Sequence, residues 1–195
     1  DQLLSAYARA QEQYAAHGIT TIQDGMAVEE MFPMYQMLLD SGILKLDLVV
    51  YPSPQAYDAA AERFGALPPE RHLRIGGMKV YLDGSPQGRT AWMREPYAGE
   101  ADYRGYGTME DAALEEAMEL ACLRRTQLLC HCNGDGAAEQ FLRCLARVEQ
   151  KHPEMAQLRP VIIHGQLLAP DQLPRVKELG AVVSFFVAHV HHWGD

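Results

Sequence analysis

The chain alternates short, nearly continuous apolar segments with segments of helical periodicity. About six of the apolar segments have the length and composition of β-strands. They span residues 19–22, 46–51, 76–82, 128–132, 161–164 and 181–187. Because these segments show no regular alternation of polar residues, both faces of each strand should be buried, as in a parallel sheet covered by helices. The sequence therefore predicts an α/β fold with about six parallel strands and flanking helices.

Repeated strand–helix units of this kind build either an open doubly wound sheet or a (β/α)8 barrel, and about six units would make most of such a barrel. No Gly-x-Gly-x-x-Gly segment follows any predicted strand, so a dinucleotide-binding fold has no positive support. The chain also lacks Gly-x-Ser-x-Gly, the turn that carries the nucleophile of many open-sheet serine hydrolases. Periodicity alone leaves both the open sheet and the barrel as alternatives.

The net charge of the chain limits the kinds of partner it can bind. Its 195 residues include 17 Lys and Arg against 26 Asp and Glu, a formal net charge of -9 at pH 7. Nucleic acid and anionic membrane surfaces repel such a chain, so we expect neither as a partner. No apolar run approaches the roughly 20 residues that cross a membrane as a helix. The four cysteines lie within residues 122–144 with no secretory leader before them, which favours a reduced, cytoplasmic environment.

Three predicted strands carry a potential metal ligand toward their carboxyl ends, namely Lys79, His131 and His164. Parallel strands of a barrel direct these ends to one face, where active-site residues gather. Taken singly, a histidine at such a position is more often structural than functional. Neutral imidazoles on neighbouring strand ends are nevertheless suited to a divalent ion such as zinc. We therefore predict that the three side chains open into one cavity and bind a divalent metal, with zinc as the favoured ion.

Lys79 interrupts an apolar strand, where an unpaired charge would cost several kcal/mol. One explanation is an ion pair with Asp83 or Asp24. Another is that the desolvated, neutral amine reacts with carbon dioxide to form a carbamate, an anion able to bridge two metal ions. The residues alone leave both explanations open.

Two cysteines, Cys130 and Cys132, flank His131 in a Cys-x-Cys spacing. This spacing occurs in zinc sites. On a strand, however, the residues on either side of an inward-facing histidine point the other way, toward the helices. We expect both cysteines to be buried structural thiols.

A long segment rich in glycine, proline and aromatic residues follows the third predicted strand, at residues 83–107. Loops of this length are usually functional or disordered. The candidate substrate-binding residues in it are Asp83, Ser85, Arg89 and Tyr97. Asp83 and Ser85 equally fit a turn, and Arg89 could pair with any acid.

Further histidines follow the last predicted strand, in a segment expected to be a loop at residues 189–195. His189 comes directly after the strand, so we expect it to face the cavity and contact substrate. We expect His191 and His192 to face solvent.

Several segments together resemble the amidohydrolase superfamily, specifically its amidohydrolase 3 (YtcJ-like) group. They are AAHGITTIQDG, GGMKVYLDGSPQGRTAWMREPY, LLCHCNGDGAAEQFL and IIHGQLLAPDQLPRVKELGAVVSFFVAHVHHWGD. The likeness covers most of the chain. The sequence departs from the group's pattern at Ile163, where an acid is usual, at Val187, where proline is usual, and at Cys132 and Asn133, where small and apolar residues are usual.

This resemblance implies a (β/α)8 barrel that holds one or two divalent ions and hydrolyses carbon–nitrogen bonds through a metal-activated water. It implies that Lys79 is the bridging ligand, with or without carboxylation, and that His131 and His164 bind the second ion. The expected substrate is a small molecule of the amide type.

The resemblance also implies parts that residues 1–195 do not contain. The His-x-His pair of the first strand should precede Asp1, and the aspartate expected to be the general base should follow Asp195. A small β-sandwich is missing as well. We therefore expect the chain to be an incomplete TIM (β/α)8-type barrel without its first and last strands, inactive alone, and able to form homo-oligomers through exposed sheet edges.

The alternative is a non-catalytic binding module on a degenerate amidohydrolase barrel. The departures at Ile163 and Asn133 favour it slightly.

Overall fold

The computed structural model describes residues 2–194 and has an α/β fold in which parallel strands form two sheets with flanking helices. The chain divides into two compact units, Asp1–Lys79 and Val80–Asp195. This architecture confirms the predicted fold class and is consistent with part of a TIM-type barrel.

The first unit consists of three helices and a three-stranded sheet in the order β1-β2-β3. Its elements are α1 (Gln2–Ala16), β1 (Thr21–Ala27), α2 (Phe32–Ser41), β2 (Asp47–Pro52), α3 (Tyr57–Phe64) and β3 (Leu73–Ile75), with 3-10 turns at Glu29–Met31 and Pro69–Arg71. β2 pairs in parallel with both of its neighbours. Leu48, Val49 and Val50 of β2 are all buried, which confirms the burial of both strand faces expected from its unbroken apolar run.

Helices α2 and α3 pack through aromatic side chains in the core of this unit. The ring of Phe64 lies edge-on to Phe32, with centroids 5.5 Å apart, and edge-on to Tyr35 at 6.1 Å. Such edge-to-face pairs stabilise a core beyond the area they bury. The Tyr35 hydroxyl donates a 2.9 Å hydrogen bond to Asp24, which ties α2 to β1.

The four-stranded sheet has the order β4-β5-β6-β7, so β7 lies at an edge of the described sheet. The elements from β4 onward are β4 (Met78–Tyr81), α4 (Asp111–Arg124), β5 (Leu128–Cys132), α5 (Asp135–Lys151), β6 (Val161–His164), α6 (Leu173–Glu178), β7 (Val182–Phe185) and α7 (Ala188–Trp193), with 3-10 turns at Pro153–Leu158 and Pro170–Gln172. Strands β5, β6 and β7 pair in parallel. Cys130 and Cys132 are buried thiols, as predicted.

The structure corrects four details of the predicted elements. The first strand was predicted at residues 19–22, whereas β1 spans Thr21–Ala27. A short strand, β3, pairs with β2 where no strand was predicted, because three residues are too few to give a periodic signal. The last strand ends at Phe185, two residues earlier than predicted. The segment predicted as a loop after it contains helix α7, which includes His189, His191 and His192.

Within residues 2–194, no helix combines the length and the apolar character needed to cross a membrane.

Candidate metal site

The second unit brings two of the predicted metal ligands together at the ends of adjacent parallel strands. His131 is the fourth residue of β5 and His164 the last of β6, and Cys132 is paired with His164 in the strand register. The two imidazole rings lie edge to face, with centroids 4.7 Å apart and planes at 76°. Both residues are partly exposed. Two adjacent, solvent-reachable imidazoles are a donor pair that fits a divalent ion such as zinc.

The backbone at His164 is in the left-handed region, with φ of 77°, and Gly165 follows at 52°. Residues other than glycine seldom adopt this conformation, although histidine does so more often than most. Strained backbone of this kind is concentrated at functional sites. The turn is held by a 3.1 Å hydrogen bond from the Gly165 N–H to the Cys132 carbonyl. It therefore fixes His164 beside the end of β5.

His131 also has the outer contact that metal-binding histidines require. Its Nε2 lies 2.9 Å from the carbonyl oxygen of Gly84. A carbonyl oxygen accepts but cannot donate, so in a neutral ring this contact favours a proton on Nε2 and a lone pair on Nδ1. A histidine that donates one ring N–H to a backbone carbonyl and presents the other nitrogen is the usual form at metal sites.

Lys79, the third predicted ligand, is the last residue of the first unit and is only 8% exposed. Its side chain lies against Gly25 of β1, so that a Cβ added at position 25 would be 2.8 Å from the Lys79 Nζ. The register of β1 shifts between Gly25 and Ala27, and Met26 between them has a φ of 66°. Bulges of this kind are common next to active sites. Lys79 is thus buried where the strand beside it is irregular, and its convergence with the two histidines stays a prediction.

Asp83 is buried inside the second unit and binds backbone. Its carboxylate, 0% exposed, accepts hydrogen bonds from the N–H groups of Trp92 at 3.0 Å, Asn133 at 2.9 Å and Gly134 at 2.7 Å. Burial raises its pKa, while these three N–H donors and the nearby His131 act in the opposite direction. Asp83 thus joins the loop after β4 to the end of β5, and a contact between Asp83 and substrate stays a prediction.

The other predicted substrate-binding residues of the loop contact one another or nearby loop backbone. Ser85 Oγ accepts from the Gly88 N–H at 3.2 Å. Arg89 forms a 2.8 Å ion pair with Glu100, and its guanidinium lies 5.5 Å from the ring centroid of Tyr97. The Tyr97 hydroxyl donates to the Ala91 carbonyl at 2.8 Å. The loop therefore has an ordered interior, and the role of these side chains in binding substrate remains a prediction.

His189 of α7 lies near the histidine pair. Its ring centroid is 6.1 Å from that of His164 and 4.8 Å from that of Phe186. His189 is partly buried, whereas His191 and His192 are exposed, as predicted for those two residues. The second unit thus contains a row of imidazoles formed by His131, His164 and His189.

Two anchoring residues were not found from the sequence. Arg94 donates to Asp135 through its backbone N–H and Nε, and its two terminal nitrogens donate to both oxygens of Asp171 at 2.8 Å. Asn133 donates from Nδ2 to the Gly84 carbonyl at 2.8 Å. An asparagine directly after a buried strand was the available signal for the second contact. The partners of Arg94 lie 41 and 77 positions further along the chain, and no local sequence pattern predicts contacts over such a separation.

Within residues 2–194, three potential ligands of the His, Cys, Asp or Glu type come within 4.8 Å of one another at Asp111, Glu115 and Cys144. Arg143 and Arg147 already bind this cluster through ion pairs of 2.8 to 3.0 Å. The hydrogen bond from Arg143 lowers the pKa of Asp111 to about 2. Burial raises the pKa of Cys144 to about 12, which disfavours the thiolate that a metal needs. The cluster is therefore an ion-pair network between α4 and α5.

Comparison with known proteins gives concordant matches. The model of the Amidohydrolase family matches residues 1–195. "Putative amidohydrolase YtcJ" of Bacillus subtilis (strain 168) is 27% identical over 125 residues, which are 63% of this chain and 23% of that protein.

Two solved structures are similar to this chain, each titled as an uncharacterized metal-dependent hydrolase. The one from Pyrococcus furiosus has a TM-score of 0.79 and 28% identity, over 94% of this chain and 38% of its own. The one from Pyrococcus horikoshii OT3 has a TM-score of 0.79 and 26% identity, over 96% of this chain and 37% of its own. The chain thus spans well under half the length of the relatives that it matches.

Proposed function

Because this chain belongs to the amidohydrolase family, we propose that the whole protein is a metal-dependent hydrolase that cleaves carbon–nitrogen bonds in small, amide-type, non-peptide substrates. The observation that carries the proposal is the edge-to-face pair of His131 and His164, with His131 Nε2 bound to a backbone carbonyl. The similarity to two structures described as metal-dependent hydrolases supports it.

In this proposal His131 and His164 hold one divalent ion, with zinc as the favoured metal, and Lys79 supplies a bridging ligand toward a second. Lys79 is buried, and the proposed carbamate would form from its neutral amine. That amine can add to the carbon of carbon dioxide and release one proton, which leaves a carbamate anion. A divalent ion bound here would polarise the substrate carbonyl and lower the pKa of a water molecule.

The chain's own residues then fix the ligands and line the approach to them. The contact with the Gly84 carbonyl favours a proton on His131 Nε2, and the left-handed turn at His164 and Gly165 holds the second imidazole in place. Ser85, Arg89, Tyr97 and His189 are proposed to contact substrate, because they lie on the loop after β4 or beside His164. We place the protein in the cytoplasm and expect residues 1–195 alone to be inactive.

Metal analysis of histidine variants tests this proposal. We expect His131→Ala and His164→Ala, made in the whole protein, each to lose bound zinc together with hydrolysis of N-acyl or formamide substrates. His191→Ala and His192→Ala are matched controls, because these histidines are exposed on α7, and both should retain zinc. Unchanged zinc in both His131→Ala and His164→Ala would show that the site is wrong.

A whole protein that is metal-free and inactive would instead support a non-catalytic binding module. The departures from the group's pattern at Ile163, where an acid is usual, and at Asn133 are the features that favour that alternative.

A further inference from the structure

Three polar atoms of the second unit meet at one point beside the histidine pair. The Gly84 carbonyl oxygen lies 2.9 Å from His131 Nε2 and 2.8 Å from Asn133 Nδ2, and these two nitrogens are 3.2 Å apart. A carbonyl oxygen has two lone pairs and can accept from both nitrogens at once. If Nε2 lacked its proton, its lone pair would instead face the carbonyl oxygen at hydrogen-bond distance. The shorter contact, with the Gly84 oxygen, therefore favours a proton on Nε2, whereas the 3.2 Å contact with the Asn133 amide would suit an unprotonated Nε2.

The orientation of the Asn133 amide follows from the same contact. Exchange of its oxygen and nitrogen would place Oδ1 2.8 Å from the Gly84 oxygen, so that two acceptors would face each other. With the nitrogen toward Gly84, Oδ1 is buried and accepts no hydrogen bond from the described part of the chain. An unsatisfied buried oxygen costs free energy. An asparagine kept at this cost indicates a role other than filling space.

Asn133 is also held rigidly, since it is only 4% exposed and its backbone N–H donates to Asp83 at 2.9 Å. The residue therefore binds two consecutive residues, Asp83 through its backbone and Gly84 through its side chain. Both contacts hold the start of the long loop against the end of β5. The Gly84 carbonyl is consequently fixed relative to the ring of His131.

We propose that Asn133 is a positioning residue that holds the Gly84 carbonyl against His131 Nε2, so that His131 keeps its proton on Nε2 and leaves the Nδ1 lone pair available. The preference for one tautomer stands on hydrogen bonding alone. Only the further step, that Nδ1 binds the metal, rests on the proposed function. The resemblance does not supply this role, because small and apolar residues are usual at position 133 in that group.

Nitrogen-15 NMR of the histidine rings at alkaline pH tests the proposal without any metal, because protonated and unprotonated ring nitrogens resonate far apart. A His131→Ala variant assigns the His131 signals among those of the eight histidines. We expect His131 to be protonated mainly on Nε2 in the natural sequence. In Asn133→Leu, which keeps the shape but removes the amide, a larger fraction should carry the proton on Nδ1.

Gln140→Leu is the matched control. Gln140 is a second buried amide whose oxygen likewise accepts no hydrogen bond from the described residues, and its Nε2 donates to the Met109 carbonyl at 2.8 Å. This variant should leave the His131 tautomer unchanged. Urea unfolding separates a positioning role from a structural one, because we expect the unfolding midpoint of Asn133→Leu to be equal to or above that of the natural sequence. Leucine at position 133 removes the unsatisfied oxygen.

The inference is overturned if His131 carries its proton mainly on Nδ1 in the natural sequence, or if Asn133→Leu leaves the tautomer unchanged. A titration with Zn²⁺ alone adds a separate arm, in which Asn133→Leu should bind roughly 10- to 100-fold more weakly, the usual effect of losing an outer contact of a ligand. If the tautomer responds as expected but the natural sequence binds no Zn²⁺, the proposed metal site fails and the role of Asn133 stands.

Discussion

The backbone N–H of Gly134 donates a 2.7 Å hydrogen bond to the carboxylate of Asp83, across 51 residues of sequence. The same carboxylate accepts from Trp92 and Asn133. One buried side chain therefore organises the start of the long loop and the end of β5, where His131 lies. This contact ties the stability of the second unit to the geometry of the candidate site.

We predict that Asp83→Asn lowers the free energy of unfolding by about 2–4 kcal/mol, measured by urea denaturation. Asparagine offers one oxygen and a donor where the carboxylate offers two oxygens, so at least one buried N–H loses its acceptor and faces an N–H of the amide. Asp102→Asn is the control, because Asp102 is exposed in the same loop. A loss within about 0.5 kcal/mol, as at ordinary surface positions, would contradict this account.

We predict that Gly25→Ala changes the space around the Lys79 side chain but has little effect on the stability of the fold. The added Cβ would be 2.8 Å from Lys79 Nζ, and the flexible end of the lysine can move away, so we expect a cost of about 1 kcal/mol or less. The space that a carbamate on Nζ would need would be reduced, however. After incubation with ¹³C-bicarbonate, NMR should show a carbamate signal in the natural sequence and a weaker or absent signal in Gly25→Ala.

Gly88→Ala is the control for this substitution, because its Cβ would be 3.1 Å from another side-chain atom, Ser85 Oγ, in the loop after β4. It should leave the carbamate signal unchanged. An equal signal in Gly25→Ala and the natural sequence would show that position 25 does not limit the chemistry of Lys79.

The fold class and the histidine pair could be predicted from the sequence because both depend on local patterns. The unbroken apolar run of β2 indicated burial of both faces, and strands β5 and β6, which are consecutive in sequence, carry His131 and His164 to the same end of the sheet. The role of Asp83 could not be predicted, because its partners lie up to 51 residues away and are backbone groups common to all residues.

Helix α7 was missed for a related reason. Its six residues, Ala188–Trp193, are too few to show a helical period. Its three histidines gave the segment a polar composition that is typical of a loop. The contact between Asn133 and Gly84 depends on the course of the long loop, which the sequence does not specify.

The ion-pair cluster between α4 and α5 should make stability depend on acid pH. Arg143, through its hydrogen bond and charge, is the main cause that lowers the pKa of Asp111 to about 2, below the ordinary value near 3.9 of an unfolded chain. A group whose pKa is lower in the folded state stabilises the protein above its unfolded pKa and loses this contribution as pH falls toward the folded pKa. The contribution of Asp111 should therefore be complete above about pH 5 and disappear between about pH 4 and pH 2.

We expect Asp111→Asn to lower the free energy of unfolding by about 1 kcal/mol at pH 6, a value reduced for the partial solvent exposure of the pair. The difference from the natural sequence should shrink as the pH is lowered toward 3. Glu116→Gln, at an exposed position of α4, should show neither effect. A difference that stays constant with pH would contradict the role assigned to the ion pairs.

The exposed apolar surface at the end of the chain predicts self-association. This surface, the β7–α7 surface, consists of large apolar side chains that are 52–81% exposed: Phe185, Phe186, Val187, Val190 and Trp193. It adjoins β7, which lies at an edge of the described sheet and carries unpaired backbone groups able to pair with another strand. Contiguous apolar patches of this kind usually mark contact surfaces or lead to aggregation.

Sedimentation velocity of residues 1–195 over a range of concentrations should therefore detect oligomers that grow with concentration. Val187→Lys and Val190→Lys, which place charges on the β7–α7 surface where the side chains are 81% and 79% exposed, should shift the population toward monomer. Leu123→Lys is the matched control, since Leu123 is 70% exposed on α4, outside that surface, and it should leave the oligomers unchanged. A natural sequence that sediments as a monomer at the highest concentration, or oligomers that respond equally to all three lysines, would exclude this edge as the contact.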